Sequence, residues 1–510
     1  MRPTGLGHAR AKSPDTACAR VESPHTERTG RPETAASRGG VLSGVVVGGG
    51  ESPLHGEGPD GSTQPAQETH AGHVGSDNHE PTSLRGIANR AKACKHHRFR
   101  DLYREVNADL LLHCWHDLNK GAASGVDGLT AAAYEGNLLA HLADLAERVK
   151  TKRYRAKLVR RVYIPKENGR QRPLGIPALE DKLVQLACAK LLSAIYEEDF
   201  LDCSYGYRPG RSAKEAVCDL TFYVQYGSYG YLVEADIRGF FEHMDHQWLL
   251  DMLSLRIDDR AFVQLIRKWL KAGILDTDGQ VLHPGAGTPQ GGIISPVLAN
   301  LYLHHALDLW FERVVKPRCR GEARLCRYAD DFVCAFRYRD DAERFFEALP
   351  KRLGRFSLEV APEKTQIVRF SRFHPSPKRR VSFLGFELYW FRDRQGEPRV
   401  TRRTARKKLH GACRRIKDWI KSNRHLPGRE FVRGLNRRLV GHYNYYGLRG
   451  NARSLWRFYQ WAMACAYKWL NRRGGKRRSF TWTVFHAACA KLGVARPRIT
   501  EQSYARRVFA

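Results

Sequence analysis

The sequence predicts an α+β fold that follows an unstructured N-terminal extension, and three observations support this. Predicted strands and hairpin turns alternate with long amphipathic segments from residue 86 onward. The hydrophobic fraction of 42% and the charged fraction of 27% are typical of a folded protein. Residues 1–85, in contrast, contain no Phe, Trp or Tyr and are rich in Gly, Pro, Ser, Thr and His. That segment has too little apolar surface to offset the entropy lost on folding, so we expect disorder there.

Periodicity and turn residues predict the first ordered elements. Asn168-Gly169 is a good hairpin turn, because this dipeptide accepts the positive φ angles of a tight connection. Gly-Val-Asp-Gly at 125–128 is a second turn. The predicted elements around them are helices over residues 102–115 and 138–149, a strand over 159–165 that pairs with 172–177, and a long helix over 181–196.

The charge of the chain points to a polyanionic partner. Lys and Arg number 86 against 53 Asp and Glu, which gives a formal net charge of +33. Nucleic acid is the first candidate, and an acidic lipid surface or a merely basic exterior are the alternatives. No apolar run approaches the roughly 18 to 20 residues that span a membrane. None of the 12 cysteines form a Cys-x-x-Cys pair, so we expect reduced thiols in a cytoplasmic protein.

The composition changes near residue 370. Residues 369–424 contain 18 Lys or Arg and four acidic residues, and the pattern beyond 370 predicts mostly helix. Residues 407–423 predict a basic amphipathic helix, and residues 437–447 and 456–469 combine cations with aromatic rings on predicted helices. Cations bind phosphates and rings stack on bases, which suits RNA, although the same rings could form the core between the helices. We therefore predict two folded domains, residues 86–370 and residues 371–510.

Three aspartates form a candidate metal site. The apolar strand 231–236 ends in Asp236, and the chain then turns into a helix near 247–255. Residues 325–335 predict a β-hairpin with Asp330 and Asp331 at its tip. An isolated Asp-Asp pair could equally be a solvated turn, but the apolar flanks, Tyr328 and the partner Asp236 favour a bound cation that offsets the charge repulsion. Nucleotide addition uses two Mg²⁺ ions about 3.5 to 4 Å apart, held by such carboxylates.

These residues resemble a known family. The Tyr-Ala-Asp-Asp tetrad at 328–331 resembles the motif of reverse transcriptases, and further segments resemble the group II intron-encoded reverse transcriptase/maturase family and its bacterial relatives. The resemblance extends over about residues 86–510 and implies a right-hand polymerase, with fingers and an antiparallel palm sheet before residue 370 and a helical thumb or maturase domain after it. The matching segments are 162–166, 172–177, 206–212, 288–296, 363–365 and 383–386.

The resemblance also implies roles for individual residues. Asp236 and Asp330 would bind two Mg²⁺ ions with Asp331 in support, Ile237 is included in the metal set, and Lys364 would donate a proton to pyrophosphate. Lys166 and Arg172 would grip the triphosphate, and Phe241 would exclude a 2′-hydroxyl group. Lys166 and Arg172 could instead belong to a basic strand face. Phe241 could instead pack in the core, and Lys364 could be an ordinary exposed lysine. The residues expected to contact substrate are Lys166, Arg172, Phe241, Pro289, Gln290, Gly291 and Tyr328.

The loop around Gln290 is expected to face template and nucleotide. Gly291 and Gly292 would let the backbone approach substrate closely. A helix predicted from near residue 293 to about 313 would direct its N-terminal amides towards the same anionic site.

The expected activity is RNA-directed DNA synthesis, which extends a primer on an RNA template with deoxynucleoside triphosphates. The resemblance adds binding of group II intron RNA and assistance to its splicing and mobility. One alternative is an RNA-binding splicing maturase in which polymerisation is secondary or lost. Another is a reverse transcriptase of a non-intron retroelement or defence system. Family members often carry a His- and Cys-containing endonuclease domain, and without a Cys-x-x-Cys pair we expect no endonuclease activity here.

Overall fold

Helices and three small sheets alternate along the chain, which confirms the predicted α+β class. The computed structural model of the protein describes residues 82–165, 171–283, 285–288, 290–472 and 479–501. These residues belong to one compact unit, Asp77–Ala510. The predicted unstructured extension falls almost entirely on residues 1–81, which lie outside the described residues.

The N-terminal elements build the first hydrophobic core and a β-hairpin. Helix α2 begins directly after Asn107, whose side chain accepts a hydrogen bond from the Leu110 amide at 2.9 Å. This cap ends the irregular stretch before it. The elements are α1 (Thr82–Ala93), α2 (Ala108–Asp117), α3 (Ala131–Glu135), α4 (Leu138–Lys150), β1 (Val159–Pro165), β2 (Gln171–Ile176) and α5 (Leu179–Tyr196).

The middle of the chain contains the first strand of the central sheet. Helix α6 starts with a capping box, in which Ser212 and Glu215 satisfy each other's backbone amides. The elements are α6 (Ala213–Tyr226), β3 (Tyr231–Asp236), α7 (Phe240–His243), α8 (His246–Ser254), α9 (Arg260–Leu270), β4 (Ile274–Leu275) and β5 (Val281–Leu282).

A long helical stretch then leads to the second β-hairpin. The stretch starts with α10 (Ser295–Leu303) and contains two π-helical segments, His304–Asp308 and Phe311–Val315. Such segments are rare and frequently lie at functional sites. The elements that follow are α11 (Lys316–Arg318), β6 (Ala323–Tyr328), β7 (Asp331–Phe336), α12 (Arg339–Gly354), a 3₁₀ turn (Pro362–Lys364) and β8 (Gln366–Arg369).

The described residues of the C-terminal part form a small sheet and four helices. Its strand β10 alternates buried and partly exposed residues, as expected for a strand with one face on a core. The elements are β9 (Val381–Phe383), β10 (Phe386–Arg392), β11 (Pro398–Thr404), α13 (Arg406–Asn423), α14 (Gly428–Tyr446), α15 (Ala452–Leu470) and α16 (Trp482–Lys491).

The strands form three sheets within the described residues. The hairpin sheet has the order β2-β1-β4-β5, and the C-terminal sheet has the order β11-β10-β9. The carboxylate sheet has the order β6-β7-β3-β8, and its neighbouring strands are antiparallel. Core residues Phe370, Phe386 and Trp390 pack in one cluster with Leu232 and Val333 of the carboxylate sheet. The C-terminal sheet therefore shares a core with the carboxylate sheet, and the predicted division at residue 370 stays a prediction.

Several predicted elements are confirmed and others are wrong. The strands over 159–165 and 231–236 have the predicted bounds, and α4 and α5 match their predictions to within two residues. The helix predicted over 102–115 is wrong in its first six residues, because Asn107 caps α2. The prediction of mostly helix after residue 370 is wrong for 381–404, where alternating apolar residues form three strands.

Among the described residues the structure has neither a membrane-spanning helix nor a disulfide bond. None of the described helices combines the length and apolar character required to cross a bilayer. The eleven cysteines in this part of the chain are free thiols.

Candidate active site

The three aspartates predicted to bind metal come together at one edge of the carboxylate sheet. Asp236 is the last residue of β3, and its register partner in β7 is Asp331. Asp331 also pairs with Tyr328 across the β6–β7 hairpin, so that Ala329 and Asp330 form the turn. Ala329 adopts a left-handed φ of 54°. The predicted hairpin with carboxylates at its tip is therefore confirmed.

Burial and mutual repulsion disfavour the ionised form of these carboxyl groups. Burial and the neighbouring Asp236 raise the pKa of Asp331 to about 7. Burial, followed by the same Asp236, also raises the pKa of Asp330. The Lys364 ammonium forms a salt bridge with Asp236, and this bond raises the pKa of Lys364. A cation between these carboxylates would remove the repulsion.

The donor set fits Mg²⁺ in an open site. Among the residues that the structure describes, no group of three or more His, Cys, Asp or Glu side chains is arranged to hold a metal ion by itself. Mg²⁺ commonly takes only one or two carboxylates and completes its shell with water and substrate phosphates. Two or three repelling carboxylates at a sheet edge meet that requirement. The Ile237 side chain is buried and has no ligand atom, so Ile237 could contribute only its backbone carbonyl.

A buried cation holds the Ala329–Asp330 turn. Arg327 is fully buried, and its guanidinium group forms a two-point salt bridge with buried Asp308, with N–O distances of 2.7 and 2.6 Å. It also donates to the Ala329 carbonyl at 3.1 Å, to Asn300 Oδ1 at 3.1 Å and to Ser204 Oγ at 2.7 Å. Five hydrogen bonds thus compensate the desolvated charge, and one of them fixes the turn.

A glycine lets a second segment approach the same turn. A Cβ atom at Gly206 would lie 2.4 Å from the Ala329 amide nitrogen, so a larger residue would push the two backbones apart. Asn300 Nδ2 donates to the Gly206 carbonyl at 2.7 Å and fixes this approach. The next residue, Tyr207, has a left-handed φ of 59° and its side chain is exposed.

Three aromatic rings extend from the carboxylates to a cavity. Tyr207 lies between Tyr328 and Phe241, with ring centroids at 6.5 and 6.4 Å. Phe241 is buried in the first core, as its alternative prediction of core packing requires, but it also lines a cavity of about 330 Å³. The cavity lies between the hairpin sheet, α7 and the loop before α10, and Gln290 lines it too.

The Gln290 loop is held against two other elements by backbone hydrogen bonds. The Gln290 carbonyl accepts from the Gly175 amide of β2 at 2.6 Å, and the Thr288 amide donates to the Phe241 carbonyl at 2.8 Å. A Cβ at Gly291 would lie 2.4 Å from the Gly175 carbonyl oxygen, and the φ of Gly291 is 114°. Gly291 was predicted to let the backbone approach substrate closely. In the structure the segment that it approaches closely is strand β2.

The predicted phosphate contacts are only partly described. Arg172 of β2 is exposed and lies near enough to Asp330 to lower the pKa of that carboxyl group, against the raising effect of burial. Lys166 and Pro289 lie outside the described residues. Helix α10 begins at Ser295, two residues later than predicted, and Ile293 donates its amide to Gln185 Oε1 at 3.0 Å.

Comparison with known proteins identifies the family. Residues 164–388 match the family model described as reverse transcriptase (RNA-dependent DNA polymerase). Protein YkfC of Escherichia coli K12 is 34% identical over 315 residues, which cover 55% of this chain and 80% of that protein. The chain belongs to the reverse transcriptase family. It therefore carries an RNA-dependent DNA polymerase domain, and the family uses divalent metal ions.

Two further relatives of this reverse transcriptase are named for introns. The group II intron-encoded protein LtrA of Lactococcus lactis subsp. cremoris is 37% identical over 234 residues, or 44% of this chain and 39% of that protein. An uncharacterized 91 kDa protein in the cob intron of Schizosaccharomyces pombe is 36% identical over 217 residues, or 42% of this chain and 26% of that protein. The chain thus spans well under half the length of either intron-named relative.

The reverse transcriptase site includes residues for which the sequence suggested no role. Tyr207 lies within the recognised segment 206–212, so its motif position could have indicated it. Arg327 directly precedes the tetrad, but nothing in the sequence pairs it with Asp308. Tyr445 of α14 lies near Tyr328 and Asp331, and both of these raise its pKa after the larger effect of burial. Only the folded arrangement places that residue at the site.

Proposed function

We propose that this reverse transcriptase extends a primer 3′ end on an RNA template at the carboxylate edge, with two Mg²⁺ ions and deoxynucleoside triphosphates. The observation that supports the proposal most directly is the register of Asp236 opposite Asp331, with Asp330 in the adjoining turn. In the right-hand description, the hairpin sheet belongs to the fingers, the carboxylate sheet to the palm and α13 to α16 to the thumb.

The side chains divide the chemistry between them. When bound, the metal ions activate the 3′-hydroxyl group and stabilise the leaving pyrophosphate. Asp236, Asp330 and Asp331 would hold the ions, and Arg172 would neutralise triphosphate charge at the edge of β2. Lys364, now bonded to Asp236, is placed to give a proton to pyrophosphate. Phe241 closes the sugar side of the cavity against a 2′-hydroxyl group.

Primer extension with the Asp330→Ala variant tests this proposal. We expect at least about a 100-fold loss of activity on an RNA template with Mg²⁺, since metal-ion stabilisation is worth several kcal/mol and each 1.4 kcal/mol is tenfold in rate. Asp340→Ala removes an exposed carboxylate on α12 and serves as the control. Equal activity of Asp330→Ala and wild type would refute the assigned site.

We further propose that the thumb binds group II intron RNA and assists its splicing and mobility. Arg414, Lys417 and Lys468 are exposed on α13 and α15, and Trp456 and Trp461 are exposed on α15. The exposed rings favour RNA stacking over the alternative that all rings form the core. The resemblance to LtrA supports an intron partner, and the longer match to YkfC, a protein that is not named for an intron, keeps the non-intron retroelement as the second candidate.

RNA binding distinguishes these candidates. We expect tighter binding to a folded group II intron RNA than to a structured RNA of equal length, and weaker binding by the Arg414→Glu/Lys417→Glu variant. Lys351→Glu on α12 is the control for a change of charge elsewhere. Equal affinity for both RNAs would favour the non-intron retroelement. Cytoplasmic location and the absence of endonuclease activity stay predictions.

A further inference from the structure

One turn is hydrogen-bonded both to a site carboxylate and to the C-terminal helices. The Leu384 amide donates to Asp331 Oδ2 at 3.4 Å. The Leu384 carbonyl accepts from the hydroxyl group of Tyr445, near the end of α14, at 3.1 Å. A single residue between β9 and β10 therefore links α14 to the carboxylate sheet.

The backbone of this turn is strained and needs external support. Leu384 has a left-handed φ of 50°, followed by Gly385 at 79°. Non-glycine residues rarely adopt this conformation, and it persists where surrounding contacts fix it. The supports are the Tyr445 and Asp331 bonds and a 2.9 Å bond from the Ala405 amide to the Gly385 carbonyl. Losing one support should loosen the turn.

Tyr445 is placed to act as a donor to this turn. Its ring stacks on Phe386 with centroids 6.1 Å apart and planes 15° apart, and it meets Tyr446 edge-on at 4.7 Å. Burial, then Tyr328 and Asp331, raise the pKa of its phenol, so it keeps its proton at neutral pH. Tyr445 is nevertheless 41% exposed. The ring thus occupies the junction of thumb and palm.

We propose that Tyr445 is a positioning residue, which holds Leu384 and through it orients the Asp331 carboxylate for metal binding. The link couples the placement of α14 to the metal site, so that a thumb docked on its nucleic acid stabilises the arrangement that binds Mg²⁺. This inference rests on the proposed function of Asp331. Tyr445 touches the backbone of Leu384 and takes no part in bond making.

The test uses full-length protein and a matched pair of hydroxyl deletions. Tyr445→Phe keeps the ring and removes the donor, whereas Tyr443→Phe removes a hydroxyl on the same helix that contacts the Ala495 carbonyl. We expect Tyr445→Phe to speed hydrogen exchange of the Leu384 amide at least threefold in metal-free protein. It should also weaken Mn²⁺ binding, measured by electron paramagnetic resonance, at least threefold.

In primer extension the same variant should need more Mg²⁺ for half-maximal rate, while KM for the nucleotide changes less than twofold. Tyr445→Ala should show larger effects of the same kind, and Tyr443→Phe should match wild type. Unchanged hydrogen exchange of the Leu384 amide and unchanged Mn²⁺ affinity in folded Tyr445→Phe would overturn the positioning role. If Asp330→Ala is inactive in the same experiments, the proposed polymerase site is still supported. Fully active Asp330→Ala would instead overturn the site and this inference with it.

Discussion

Arg327 and Asp308 place a full ion pair in the protein interior, where hydrophobic residues of similar volume would often be at least as stable. The pair therefore needs a reason beyond stability. Its remaining hydrogen bonds go to Ala329 in the turn, to Ser204 near the segment that packs on the turn, and to Asn300 of α10, which holds that segment through Gly206. The fixed planar guanidinium group of arginine sets the geometry of the turn at Ala329, the residue directly before Asp330.

Phe241 is expected to set sugar selection. Phe241→Ala should reduce discrimination against ribonucleotides at least about tenfold, because removing the ring enlarges the 330 Å³ cavity on its sugar side. The measurement is the ratio of kcat/KM for a deoxynucleotide to that for its ribonucleotide. Phe240→Leu alters the neighbouring buried ring and is the packing control. Unchanged discrimination in Phe241→Ala would reduce Phe241 to a core residue.

The loop before α10 shows how one element positions two others. Its backbone bonds to Gly175 in β2 and to Phe241 in α7, so the loop joins the hairpin proposed to bind the nucleotide to the cavity wall formed by Phe241. Gly291 makes this possible, since its missing Cβ leaves room for the Gly175 carbonyl. A change in this loop should therefore disturb both nucleotide and template contacts.

Gly291→Ala tests that contact. The new methyl group would meet the Gly175 carbonyl at 2.4 Å, so the loop or β2 must move, and we expect at least about a tenfold loss of kcat/KM, equal to about 1.4 kcal/mol. Gly279→Ala is the matched control, because Gly279 also has positive φ, at 85°, but has open space around it. If both variants lose activity equally, backbone strain and not close approach is responsible.

The sequence predicted elements whose residues carry their own periodicity, and failed where tertiary contacts decide. Strand β3 and the Asp330 hairpin were predictable because apolar runs end in acidic residues. The three strands of the C-terminal sheet were not predicted, because the many charged residues of 369–424 mask the weak alternation of apolar residues in β10. The bonds of Arg327 to Asp308 and of Tyr445 to Leu384 join residues far apart in sequence, and no local pattern records them.

At the scale of the whole molecule, the thumb core contains a buried histidine that links stability to pH. His442 stacks on Phe458 with centroids 3.9 Å apart, and its Nε2 atom has no hydrogen-bond partner in the described part of the chain. Burial, and secondarily Arg415, lower its pKa to about 4. In the unfolded chain the pKa of the imidazole is about 6.5. Between pH 4 and pH 6.5 the imidazole therefore binds a proton in the unfolded chain but not in the folded protein.

Stability contributed by His442 should therefore be present above pH 6.5 and be lost as pH falls towards 4. At pH 5 the loss is about 2 kcal/mol relative to pH 8. Buried Asp181, with its pKa raised to about 6, acts in the opposite direction, so the total profile mixes several groups. A difference between two variants isolates the histidine.

His442→Phe keeps a flat ring and removes the titration. The free energy of unfolding of this variant, minus that of wild type, should rise by about 2 kcal/mol from pH 8 to pH 5, as measured by urea denaturation. His410→Phe on the exposed face of α13 should leave that difference constant. Parallel stability curves for His442→Phe and wild type would mean that the thumb opens enough to solvate the imidazole. The thumb core would then be a loosely packed part of the molecule, and the coupling of α14 to the carboxylate sheet would act on a mobile helix.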